Sequence, residues 1–152
     1  EDNLTLPSLK AFSKFLGLDR DSRGKAAHGL IQRMGIKTAK PSSPAQSLSG
    51  GNQQKIVLGK WVYRQPRLFL LDEPTRGVDV GAKEEVHRMI RTLARSGSAI
   101  LLISSDMPEI LQLSDRILVL CQGRIRGEVT GSQATAKQLL EWALPPERPD
   151  AA

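Results

Sequence analysis

Leu4, Leu9, Phe12, Phe15 and Leu16 recur at roughly helical spacing, interrupted early by Pro7. Residues 17–25 are polar and read as a connection. Ala27, Leu30, Ile31 and Met34 then share one face of a helix over 26–34. Pro41, Ser42, Ser43 and Pro44 make 37–46 a loop. A second helix is predicted over 52–63, with Ile56, Val57, Trp61 and Val62 available for burial, and Pro66 stops it.

Beyond Pro66 the period changes. Residues 68–71 form a short continuous apolar run ending in Asp72-Glu73-Pro74, the pattern of a strand buried on both faces. A helix over 81–96 leads to a second such run over 99–103. Asp106-Met107-Pro108-Glu109 has the form of a capping box with proline in the first turn, opening a short helix to Leu113. Apolar runs at 117–121 and 124–129 flank Gln122-Gly123, a pair suited to a hairpin. A last helix over 135–144 precedes a proline-rich tail, 145–152, expected to be disordered. Strands alternating with helices predict an α/β fold with a parallel core, preceded by a mostly helical piece.

Composition changes this picture little. With 39% hydrophobic and 25% charged residues, the chain of 152 is ordinary for one soluble domain. The net charge of +6 allows an anionic partner, yet no run of five or six like charges occurs and aromatics are 4%. Nothing positive therefore points to nucleic acid. Cys121, the only cysteine, permits no internal disulfide and sits in an apolar run, where a buried thiol is expected. No signal peptide is visible, and no apolar stretch approaches the ~18 residues of a membrane span. The opening Glu1-Asp2-Asn3 lacks a methionine, which suggests a fragment or a processed piece.

Two stretches carry candidate chemistry. Asp72 and Glu73 close the 68–71 strand, at the end where ligands bind in open α/β sheets. Asp72 is suited to a magnesium ion, through water, and Glu73 to orienting or deprotonating a nucleophilic water. Alone, the pair reads equally well as solvated carboxylates before a turn. Ser49-Gly50-Gly51 leaves backbone amides uncovered at a helix start, a ready place for a phosphate. An ordinary cap, with Ser47 or Ser49 as the first residue, accounts for one glycine more easily than for two.

The conjunction is more specific. Leu48-Ser49-Gly50-Gly51-Asn52-Gln53-Gln54-Lys55, then Leu68–Asp72 with Glu73, then Pro74-Thr75-Arg76-Gly77-Val78-Asp79, resembles the ATP-binding-cassette ATPases: signature motif, Walker B strand with catalytic glutamate, and D-loop, in the family's order. The wording, with Ser104-Ser105-Asp106-Met107-Pro108-Glu109, is similar to the second nucleotide-binding half of bacterial tandem ATPases importing ribose, galactose, xylose or arabinose. The resemblance implies the C-terminal part of a P-loop NTPase domain. It would comprise a helical subdomain segment and loop (1–46), a signature helix with an incomplete RecA-like core (47–130), and a C-terminal helix with tail (131–152).

The resemblance also implies roles. Ser49, Gly50, Gly51, Asn52 and Gln53 would meet the ATP held by a partner cassette, and a Cβ at either glycine would hold that backbone off. Asp72 would serve Mg²⁺, Glu73 the attacking water, and Asp79 the contact between cassettes. The partners implied are the other nucleotide-binding half, membrane permease subunits and, indirectly, a periplasmic or extracellular sugar-binding protein, with no nucleic acid. The place implied is peripheral, on the cytoplasmic face of the inner membrane.

Three departures qualify it. No G-x-x-x-x-G-K-S/T loop is present, so the chain alone should bind ATP poorly and hydrolyse none. Ser105 stands where most active cassettes carry a histidine, and His28 and His87 do not fill that position. Asn52 replaces a more usual glutamine. These suggest a division of labour in which the signature completes a competent site on the other cassette, while this half's own site is weaker.

Overall fold

The computed structural model describes residues 1–15 and 17–145. Leu16 and most of the expected tail lie outside the described residues. The chain divides into two compact units, 1–101 and 102–152.

In the first unit, the opening segment is not one helix. A short α1 (Asp2–Thr5) gives way to a 3-10 turn (Leu6–Phe12), with Pro7 near its start. Strands β1 (Ser13–Lys14) and β2 (Gly17–Leu18) then form a small antiparallel hairpin. The polar stretch expected as a connection in fact starts helix α2 (Arg20–Arg33). Asp19 is its N-cap and accepts from the Ser22 amide at 3.1 Å, a signal that polar composition concealed. Ala27, Leu30 and Met34 of the predicted face are buried.

Helix α3 (Gly50–Val62) shows a larger correction. Its buried stripe is Gly51, Lys55, Leu58, Gly59 and Val62, whereas Val57 and Trp61, expected inside, are about half exposed. Two glycines on the buried stripe allow close approach: a Cβ at Gly59 would stand 3.0 Å from the Leu4 side chain. Phe12 packs on Tyr63 with ring centroids 5.3 Å apart, fastening the 3-10 turn to the end of α3.

Strand β3 (Leu68–Asp72), helix α4 (Val80–Arg95) and strand β4 (Ala99–Ile103) follow. The two strands are neighbours in a sheet, and the Ala99 amide donates to the Arg67 carbonyl at 2.8 Å, so both begin at the same end with a helical crossover between them. They are not buried on both faces. Phe69 and Leu71 are buried, but Leu68 and Leu70 are 53% and 68% exposed and Leu101 is 51% exposed. Continuous apolar runs predict two covers; among the described residues only one face of β3 is covered. On α4, Val86, Ile90 and Leu93 are buried, with His87 beside them.

In the second unit, α5 (Met107–Leu113) is capped by Asp106, which accepts from the Glu109 amide at 3.2 Å, as the sequence indicates. Strands β5 (Arg116–Cys121) and β6 (Arg124–Thr130) form the predicted antiparallel hairpin. Gln122 and Gly123 have φ values of 51° and 74°, which a primed two-residue turn requires. The register shifts by one residue past Val119, and Cys121 is buried. Helix α6 (Ala136–Ala143) buries Leu139 and lays Trp142 on Gly127 so closely that no Cβ fits there.

Candidate functional site

The site is built around the start of α3. Ser49 is the N-cap, with extended backbone, and its carbonyl accepts the first helical bond from the Gln53 amide at 2.9 Å. Its hydroxyl makes no cap bond. Instead Oγ accepts from Asn52 Nδ2 at 2.8 Å. The amides that a capping side chain ordinarily covers receive no bond from Ser49, and they carry the positive end of the helix dipole. Ser49 and Gly50 are exposed.

The two glycines have different jobs. A Cβ on Gly50 would meet only the Gly77 carbonyl, at an ordinary 3.6 Å. A Cβ on Gly51 would collide with the side chain of Ala82 on α4. Gly51 is buried and lets the starts of α3 and α4 touch. The second glycine is explained by packing.

The amides of the motif are engaged locally. Asn52 Oδ1 accepts from the Lys37 backbone amide at 2.8 Å, and Gln53 Nε2 donates to the Leu48 carbonyl at 2.8 Å. One turn along, the buried Lys55 ammonium donates to the Gly35 carbonyl at 2.8 Å and pairs with Glu85 of α4 at 2.6 Å. The hydrogen-bonded lysine holds the Glu85 carboxyl below its ordinary range. Sequence reasoning missed this lysine, although it interrupts the apolar stripe at helical spacing.

The loop after β3 lies against the same helix start. Arg76 donates its amide to the Glu73 carbonyl at 3.1 Å and Val78 to Thr75 at 3.2 Å, giving consecutive turns. Asp79, expected at an interface, is the N-cap of α4: its Oδ1 accepts from the Ala82 amide at 2.9 Å. Gly50, Gly51, Gly77, Val78 and Ala82 are thus brought together.

Asp72 ends β3 and is exposed, and Glu73 is half-buried with φ at 46°. Left-handed backbone at a glutamate is costly, and here it begins the turns that lead into α4. Among the described residues no group of three or more His, Cys, Asp and Glu side chains forms a metal cluster. A single exposed carboxylate suits a magnesium ion that takes its remaining ligands from water and phosphate. Ser105 belongs to the second unit, where it is exposed, just after β4. His87 is buried on α4 and His28 is exposed on α2.

Residues 1–76 match the family model described as ABC transporter, and the chain belongs to that family. Among curated proteins it is 48% identical over 143 residues to the ribose import ATP-binding protein RbsA of Streptococcus agalactiae, and 46% identical over 142 residues to that of Bacillus subtilis. It is 44% identical over 145 residues to a putative ribose/galactose/methyl galactoside import ATP-binding protein of Burkholderia cenocepacia. These alignments cover 93–94% of this chain but only 28–29% of each relative. The fold is that of solved ATP-binding cassettes. One from an ABC transporter matches at a TM-score of 0.73 and 18% identity, covering 95% of this chain and 62% of that one. A bacterial ABC transporter cassette solved as a dimer matches at 0.69 and 20% identity, covering 84% and 54%.

Proposed function

We propose that the chain is the signature-bearing part of the second cassette in a tandem ATPase that powers import of a monosaccharide. The observation that carries this reading is the uncapped start of α3, with Ser49 and Gly50 exposed and the helix held rigidly behind them by Gly51 and Lys55. That arrangement suits recognition of a phosphate on another body, here the ATP of the partner cassette. Gly51 and Asn52 act from behind, by packing and by orienting; Gln53 braces the entry to the helix. Asp72 would hold Mg²⁺ through water, which offsets phosphate charge. Glu73 would orient the water of a second site completed by a glycine loop elsewhere in the polypeptide. Ser105, at the position of the family's histidine, cannot exchange a proton near neutral pH and makes that second site the slower one.

In this reading Asp79 contributes to the contact between cassettes through the loop it terminates. The helical segment within 1–46 faces the permease subunits, a sugar-binding protein acts beyond them, and the polypeptide works at the cytoplasmic face of the membrane. Among the described residues no helix is long and apolar enough to cross a membrane.

The test is ATP hydrolysis by the full-length two-cassette polypeptide with its permease. Ser49→Ala should lower the rate at least tenfold, as loss of a donor to developing phosphate charge does. Glu73→Gln should change it less than about twofold. A loss near ~10² for Glu73→Gln, as for removal of a catalytic base, would overturn the division of labour.

A further inference from the structure

We propose that Asn52 is a positioning residue that aims the Ser49 hydroxyl hydrogen outward and ties it to the 35–37 turn. The proposal rests on the reading of Ser49 given above. A backbone amide can only donate, so the atom of Asn52 facing the Lys37 N–H at 2.8 Å must be its oxygen. That fixes the amide's orientation, and the atom facing Ser49 at 2.8 Å is therefore its NH₂ group. Ser49 Oγ accepts this bond, and its own hydrogen turns away from Asn52. A hydroxyl so polarised offers a donor to an external anion.

The anchor of this arrangement is itself held. Lys55, one turn beyond Asn52, ties the Gly35 carbonyl to Glu85 of α4. The turn following α2 is thereby fastened to α3 at two points, Gly35 and Lys37. Loss of the Lys37 bond would free the Asn52 amide to rotate, and with it the direction of the serine hydrogen.

Asn52→Asp isolates the effect. The carboxylate is isosteric and still accepts from Lys37, but it presents an acceptor to Ser49, so the hydroxyl hydrogen turns inward. In the full-length polypeptide with its permease, Asn52→Asp and Asn52→Ala should each lower kcat for ATP about tenfold or more, with KM within about twofold. Both losses should vanish in a Ser49→Ala background, because Asn52 acts through that serine. Hydrogen exchange at the Lys37 amide, independent of turnover, should stay slow in Asn52→Asp and quicken in Asn52→Ala. Full kcat in Asn52→Asp, losses that multiply with Ser49→Ala, or unchanged exchange at Lys37 in Asn52→Ala would each overturn the assignment. If Ser49→Ala leaves hydrolysis intact, the reading of the signature falls and this proposal with it; if Ser49→Ala is impaired and Asn52→Asp is not, only the proposal falls.

Discussion

Gly50 and Gly51 are adjacent and chemically identical, yet the structure separates them. Gly51→Ala forces a methyl into Ala82 between two helix starts and should cost about 1–3 kcal/mol, the range for overpacking a close contact. Gly50→Ala meets only an ordinary contact and gains helix propensity, so the melting temperature should hold or rise. Thermal melts of both variants check this, and equal destabilisation would mean that the two glycines share one role. The same scale shows what a sequence cannot display. The Ser-Gly-Gly pattern was legible as a helix start, but the packing job of Gly51 depends on Ala82, some thirty positions away. Lys55 was unreadable for a similar reason: its partners, Gly35 and Glu85, come from two other elements.

At the scale of elements, the ends of helices decide most of what the sequence revealed and concealed. The hairpin turn at Gln122-Gly123 and the cap at Asp106 are local chemistry, and both appear where the residues indicated. The start of α2 is also local, but its cap, Asp19, is flanked by charged and polar residues that hide the helix beyond it. Asp19 accepts from Lys14 and from Ser22, and these bonds hold its carboxyl well below the ordinary 3.8. A depressed carboxyl stabilises the folded form above its ordinary value and loses that effect as pH falls through the folded one. Asp19→Asn should therefore loosen the start of α2 at pH 7, read by amide exchange at Ser22. As pH falls below about 3.8, wild type and variant should converge; a difference undiminished at strongly acidic pH would contradict the assignment.

At the scale of the whole molecule, the α/β alternation was visible in the periodicity, but the burial of its strands was not. Residues 68–71 and 99–103 carry the composition of strands covered on both sides, whereas the described residues cover β3 on one. The chain spans 29% of the length of its first relatives, and a core strand reads as such only beside the layers that enclose it. The exposed Leu68, Leu70 and Leu101 form an apolar surface beside a short sheet, a feature that favours self-association. Sedimentation of the chain by itself should show oligomers at micromolar concentration that Leu70→Lys disperses. A monomer in both cases would mean that this face is harmless in water.

Uncovered leucines are also what chaperones and proteases bind in a cell. A chain expressed by itself with this face bare would therefore persist in smaller amount than one carrying Leu70→Lys.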